Sequence, residues 1–577
     1  MTFSEFAEYL KKLEETSSRL KITEILSDLY KKATLDEIDK ICYLSLGILA
    51  PNYKSVVFNL AEKMMLQAIA KAYGRDSKDV TREYKEKGDL GIVAESLSKS
   101  KSKTGLNVLT IYENLLEIAR DEGEKSVERK IGQMAELLER VDPLSARFIA
   151  RIPVGKLRLG FSDKTILDAL SWMETGGKSK SKTIEEAYVI LPDVGILARS
   201  VKEKGIERTV KNVKPIVGIP VLPMLAQRLK SPAEMIKKMG KVFVEPKFDG
   251  LRVLVHFKRG KFIKAFTRNS NDVTEMFPEL QRIGEILNCD EAILDSEAVG
   301  MDPEMKRLLD FQTTMKRRRV HQIDLTAKAI PLSFQVFDVI SCDGVSFMDK
   351  PYFERRKVLE KIVRKGNKLL VLDETLLTQE PEVINREYRK NIKLGLEGVI
   401  VKKYDANYVP GRTGWRWVKM KQEEASEGKL SDTVDCIVMG YTVGKGKRAS
   451  FGLGQFLVGV ISNTNGKSKS GRKILTLTKI GTGLSDVEFR SYKKLLEKEI
   501  VKEMPKEYEI HKNYTPDFWV NPKFVVELAG DDLTESPIHT SGYALRFPRL
   551  VKFRADKGVN EATTLSEIKT LFKLQNK

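Results

Sequence analysis

The chain has 577 residues, too many for one hydrophobic core, so two to four domains are expected. Apolar residues make up 41% and charged residues 31%, an ordinary globular balance, while 100 Lys and Arg against 80 Asp and Glu leave a formal charge of +20. That excess favours a polyanionic partner, nucleic acid before membrane, with a merely basic surface as the plainer alternative. Cys42, Cys289, Cys342 and Cys436 are scattered with no CxxC pair, which argues against a zinc ribbon or a disulfide framework. His256, His321, His511 and His539 are equally dispersed and read as structural or surface residues.

From the N-terminus, "MTFSEFAEYLKKLEE" is charged from its start and does not read as a signal peptide. Phe6, Leu10 and Leu13, then Leu26 and Leu29, recur at helical steps, and "NVLTIYENLLEIAR" (107–120) and "KTILDALSWM" (164–173) continue the pattern. "ICYLSLGILAP" (41–51), among the longest apolar runs, is too short to span a bilayer, so a cytoplasmic protein free of membrane is expected. "SKSKSKTG" (98–105) and "GGKSKSKT" (176–183) read as polar, basic breaks between helices. An all-α domain is therefore expected over 1–213. The three prolines of "KPIVGIPVLPMLAQRL" then mark an extended entry into a second domain. There "KVFVEPKF", "LRVLVHF", "FIKAFTR", "AILDSEAV", "LSFQVFDVI" and "EGVIVKK" read as strands, with "FERRKVLEKIVRK" (353–365) as a helix among them. An α+β domain with antiparallel sheets is expected over 214–423, ending near "EEASEGKLSD" (423–432). Beyond it "VDCIVMGYTVG", "QFLVGVISN", "KILTLTKIGTG" and "KFVVELAG" suit a small β-barrel over 424–577.

The chemistry concentrates in the second domain. In "VEPKFDGLRV" (244–253), Glu245 and Lys247 leave the same face of a strand, and Gly250 lets the backbone turn or approach a ligand closely. An ordinary lysine titrates near 10.4 and is a poor nucleophile, so a reactive one needs desolvation or neighbouring cations. Three fixed letters, KxDG, are weak alone, and a plain strand edge is the alternative. Asp295 and Glu297 share a strand face, Glu397 opens a strand after a glycine-punctuated turn, and Trp417, Lys419 and Lys421 face away from Val418 and Met420. Lysines and carboxylates on one sheet suit a magnesium-bound polyphosphate. Phe337 reads as core or as an aromatic stacked on a base. "LRFPRLVKFRADKGVNEATT" (545–564) carries Arg546, Arg549, Lys552, Arg554 and Lys557, either as a basic helix face or as phosphate clamps.

With these segments in this order, the chain resembles the ATP-dependent DNA ligases, the archaeal and eukaryotic replicative type in particular, within the covalent nucleotidyltransferases. "EPKFDGLR", "FTRNSNDVTEMFPEL", "ILDSEAV", "FQVFDVI", "EGVIVKK", "WVKMK" and "RFPRLVKFRADK" resemble seven motifs of that family, and "KLRLGFSDKTILDAL" (156–170) resembles part of its helical DNA-binding domain. Ser296 stands where glycine is frequent in the family, and Phe248 where tyrosine is common.

The resemblance implies an adenylation domain at 214–423 and an OB-fold at 424–577. It implies that Lys247 attacks the α-phosphate of ATP, that Glu245 reads the adenine edge, and that Phe337 stacks on the base. Arg252 and Glu297 would hold the ribose and Arg268 a nucleotide or DNA phosphate. Lys419 and Lys421 would contact the α-phosphate, and Glu297 and Glu397 would hold Mg2+, with Mn2+ as a substitute. Arg554 and Lys557 would orient the departing pyrophosphate, supported by Asp556. A monomer acting on nicked duplex DNA is implied, with a sliding clamp as an expected partner, in replication, repair and recombination. A capping enzyme would share the lysine motif but not the long helical region. An RNA ligase would usually lack that region, and an NAD-dependent ligase would carry a four-cysteine zinc cluster. A non-catalytic DNA-binding protein would need no Lys247.

Overall fold

Capping chemistry sets where the N-terminal helices begin. Thr2 accepts the Glu5 amide while the Glu5 carboxylate accepts the Thr2 amide, opening the helix Phe3–Glu14. Asp142, followed by Pro143, opens Pro143–Arg151. Apolar residues at three- and four-residue steps then turn inward, and Phe6, Leu10, Leu13, Leu26 and Leu29 share one core. Asp193 does more than cap Val194–Lys204. It is fully buried, accepts the Gly195 and Ile196 amides, and also accepts the hydroxyls of Tyr43 at 2.5 Å and Tyr53 at 2.7 Å. Tyr53 packs with Val221 and Met224, so this buried carboxylate ties the helices to the segment that follows them.

The computed structural model describes residues 1–98, 105–155, 157, 159–229, 231–317, 323–411, 414–421, 433–443, 453–462, 472–481 and 486–575. Most of the 98–105 segment, Lys156 and Arg158, and the 423–432 boundary lie outside these residues. Two compact units are present, Met1–Lys421 and Gln422–Lys577. Among the described residues no helix is long and apolar enough to cross a membrane.

Unit one begins with helices from Phe3–Glu14 to Ile206–Asn212. Residues 176–180 make the turn before the helix Ser181–Ile190, where Lys178 pairs with Asp168 at 2.7 Å and Lys180 with Glu207 at 3.0 Å. Its sheet-rich part uses β1 (Val242–Lys247), β2 (Leu251–Lys258), β3 (Phe262–Thr267), β4 (Glu291–Gly300) and β5 (Leu332–Cys342). These are followed by β6 (Val345–Ser346), β7 (Leu370–Leu372), β8 (Leu376–Thr378), β9 (Gly398–Lys403) and β10 (Trp417–Lys421). Four strands form one sheet in the order β10-β9-β1-β8, and a second runs β3-β2-β4-β5-β6 with β7 on β5. All these pairings are antiparallel except β5 with β7, which is parallel. Val242, Val244, Val399, Val401 and Val418 bury one face of the first sheet against Met235, Met239 and Ile384 of flanking helices. The opposite face looks toward the second sheet.

Unit two contains β11 (Val434–Thr442), β12 (Gln455–Ile461), β13 (Ile474–Ile480), β14 (Ile500–Val501) and β15 (Tyr508–Glu509). It continues with β16 (Phe518–Val520), β17 (Val525–Ala529), β18 (Asp532–Glu535), β19 (Tyr543–Arg546) and β20 (Arg549–Phe553). One eight-stranded sheet runs β14-β16-β11-β12-β13-β15, with β17 pairing both β11 and β20. The 545–564 segment is not the basic helix face that its composition allowed. Most of the arginine-bearing segment belongs to β19 and β20, and the last helix starts only at Leu565, capped by Thr564. Leu550 is buried while Val551 and Lys552 are exposed, where the pairing of β20 with β17 shifts register.

Candidate active site

Register explains why Lys247 and its neighbours converge. Lys247 lies opposite Gly398, and Gly398 opposite Lys421; Glu245 lies opposite Ile400, and Ile400 opposite Lys419. Because side chains alternate across a strand, Glu245, Lys247, Ile400, Lys402, Trp417, Lys419 and Lys421 all leave the face opposite the valine core. Two glycines make the approach possible. A Cβ on Gly398, at φ +142°, would meet the Met420 carbonyl oxygen at 2.2 Å, and one on Gly250 would meet the Ala298 carbonyl oxygen at 2.4 Å.

Between the two sheets lies a cavity of about 560 Å³. Its walls include Glu245, Lys247, Ile400, Lys402, Trp417 and Lys419 from the first sheet, and Arg252, Glu297 and Phe337 from the second. Arg268, at the end of β3, sits exposed at its edge. The Lys247 ammonium pairs with Glu397, whose other oxygen lies 3.4 Å from Lys421. The Glu397 amide donates to the Lys247 carbonyl at 3.0 Å, so backbone as well as side chain fixes the pair. Burial, then the positive charges of Arg228, Lys421 and Lys247, lowers the pKa of Lys419. Burial pushes the Glu297 carboxyl up to about 7, with Lys247 and Arg252 opposing the shift.

Two side chains of the cavity are also held by the protein's own groups. Arg252 is a bidentate partner of Asp295, at 3.0 and 2.6 Å, and donates to the Met224 carbonyl at 2.7 Å. Its guanidinium lies 5.4 Å from the Phe337 ring centre. Glu245 is only 1% exposed, and both of its oxygens are engaged, one by the Tyr352 hydroxyl and the other by Lys402 at 2.6 Å. Lys402 also donates to the Phe337 carbonyl at 2.8 Å.

Sequence reasoning left unassigned three groups at this site: Lys402, Tyr352 and Asp373. Lys402 stands inside the quoted "EGVIVKK", and Asp373 ends the apolar run "KLLVLD", the same pattern of an acid at a strand end that drew attention to Glu397. Tyr352 carries no comparable signal.

Arg554, Asp556 and Lys557 belong to unit two, just after β20. Arg554 pairs with Asp556 at 2.7 Å, with Asp435 at 3.3 Å and with Glu527 at 3.4 Å, and Lys557 pairs with Asp435. The hydrogen bond from Arg554 holds Asp556 well below the usual carboxylate range.

Chemically, the cavity offers a lysine beside carboxylates, further cations, an aromatic ring and a buried polar pocket, a combination suited to a nucleoside triphosphate. Comparison with known proteins agrees. The profile described as ATP dependent DNA ligase domain matches residues 223–421, DNA ligase N terminus matches 2–171, and ATP dependent DNA ligase C terminal region matches 449–557. The probable DNA ligase of Dictyoglomus thermophilum is 38% identical over 586 residues, spanning 100% of this chain and 98% of its own. The DNA ligase of Sulfolobus acidocaldarius is 36% identical over 599 residues, spanning 99% and 98%. A solved structure, Pmar-Lig_PreS3, shares the fold with a TM-score of 0.54 at 18% identity, covering 95% of this chain and 99% of that one. The chain belongs to the ATP-dependent DNA ligases.

Proposed function

We propose that this enzyme seals 5′-phosphate/3′-hydroxyl nicks in duplex DNA through a lysyl-AMP and a DNA-adenylate. The observation that carries the reading is Lys247 at the floor of a cavity between two sheets, ion-paired with Glu397 and flanked by Lys419. The amine, once it has lost its proton, attacks the α-phosphorus of ATP; the P–N bond forms as the bond to pyrophosphate breaks. The DNA 5′-phosphate then displaces the lysine, and the adjacent 3′-hydroxyl displaces AMP. Lys419 and Lys421 stabilise charge on the transferred phosphoryl group. Phe337 and Ile400 supply apolar walls for the base, Glu245 reads its edge through the Lys402–Tyr352 network, and Arg252 and Glu297 hold the ribose. Arg268 contacts a phosphate. Arg554 and Lys557 orient the leaving pyrophosphate, with Asp556 holding the Arg554 fork.

The carboxyl pair of Glu297 and Glu397 fits Mg2+, with Mn2+ acceptable to the same oxygen donors, because the buried Glu297 carboxyl is undercompensated by its cationic neighbours. The ion would add positive charge beside the α-phosphate. We further assign 1–213 to a helical DNA-binding domain, 214–423 to the adenylation domain and 424–577 to an OB-fold. The bulged antiparallel β11-β12-β13 ladder supports the last assignment. One chain supplies every group required, which suits a monomer.

The test is sealing of a labelled, singly nicked duplex with ATP and Mg2+. Wild type is expected to join the strands and Lys247→Ala to lose at least about a thousandfold. Joining by the variant at the wild-type rate would contradict the reading.

A further inference from the structure

Asp373 is a polar group of the cavity to which the nucleotide reading gives no role. It follows β7, and its backbone is pinned on both sides: its amide donates to the Val336 carbonyl at 3.3 Å, and its carbonyl accepts from Arg356 at 2.7 Å. The side chain is 3% exposed and lines the cavity, yet one carboxyl oxygen has no hydrogen-bond partner. A buried polar atom left unpaired costs roughly 1–3 kcal/mol, so it persists where something supplies the missing partner. Glu245, the other acid deep in the same cavity, already has both oxygens bonded within the protein. Burial, reinforced by the Glu245 charge and opposed by Lys402 and Arg356, holds Asp373 well above the ordinary carboxylate range.

We propose that Asp373 is a specificity-determining residue that selects adenine, its carboxyl accepting from the exocyclic amino group and donating to N7 beside it. The proposal rests on the nucleotide reading of this cavity. Its chemistry is discriminating. A carboxylic acid offers one donor and one acceptor side by side, the complement of adenine's amino group and neighbouring ring nitrogen. On the edge that carries N7, guanine presents two acceptors, O6 and N7, so that edge cannot satisfy the carbonyl oxygen of the acid. β7 pairs with the strand that carries Phe337, so Asp373, reading the edge beside the Glu245 network, and the ring beneath the base are set by adjoining strands.

The experiment measures covalent labelling of the full-length enzyme by α-labelled ATP, by α-labelled GTP and by the ATP analogue lacking the 6-amino group. Wild type, Asp373→Asn and Asp373→Leu are compared. Wild type is expected to prefer ATP over the deamino analogue by on the order of tenfold or more in KM, with the maximal rate little changed. Asp373→Asn, which keeps a donor and an acceptor, should retain most of that ratio. Asp373→Leu should bring it toward unity and narrow the preference for ATP over GTP. An unchanged ratio in Asp373→Leu would overturn the proposal while leaving the nucleotide reading intact. No labelling of wild type by any nucleotide would overturn the nucleotide reading, and the proposal with it. Should Asp373→Leu fail to fold, Asp373→Ala gives the same comparison.

Discussion

Glu297 shows how a residue lining the cavity can oppose stability. Its pKa rises from an ordinary 4.5 to about 7, chiefly through burial. The folded state therefore binds the proton more tightly than the unfolded state. The stabilisation is full below about pH 4.5 and is lost as pH climbs toward 7. At pH 8 the ligand-free protein carries a penalty of up to about 3 kcal/mol from this group. Glu297→Gln is thus expected to raise the unfolding temperature at pH 8 and leave it nearly unchanged at pH 4.5, while lowering activity. Calorimetry at the two pH values checks this, and equal shifts at both would contradict the assigned burial effect. Lys247 is held by an ion pair with Glu397. Lys247→Arg keeps the charge but offers no amine that can lose its proton, so labelling by ATP should vanish while the fold survives, as far-ultraviolet circular dichroism would report.

At the scale of elements, period-two alternation made the site face legible. Val242, Val244, Val399, Val401 and Val418 mark the buried face of the first sheet, so the lysines and Glu245 at intervening positions had to share the other. The side-chain partners were not legible, because they come from tertiary packing between strands far apart in sequence. Nothing local in "LRV" states that Arg252 is clamped by Asp295, nor does "DET" state that Asp373 faces Glu245. The 545–564 segment shows the remaining difficulty: basic residues at mixed spacing suit a strand or a helix until the pairing of β20 with β17 decides. Gly398 tests the element-level account. Alanine there meets the Met420 carbonyl and adopts a strained φ, so Gly398→Ala should cost about 2–4 kcal/mol and displace Glu397 from Lys247. Urea unfolding measures the first effect and the rate of labelling by ATP the second.

For the whole molecule, the charge of +20 predicts a strong electrostatic share in DNA binding. Affinity for duplex is expected to fall on the order of a thousandfold between about 50 and 200 mM salt if six or more phosphates are neutralised. Fluorescence anisotropy against salt concentration measures the slope, and a flat profile would argue that the basic excess is not a phosphate-binding surface. Labelling by ATP alone should respond far less to salt over that range, since its charged groups lie partly buried. Sealing runs through one covalent relay, from ATP to Lys247 to the nick. It is tested most directly by loading the enzyme with α-labelled ATP, removing free nucleotide and adding singly nicked duplex. The label should map to Lys247 and leave the protein in step with strand joining, one AMP released per nick sealed. Strands joined while the label stays on the protein, or a label on any other residue, would contradict it.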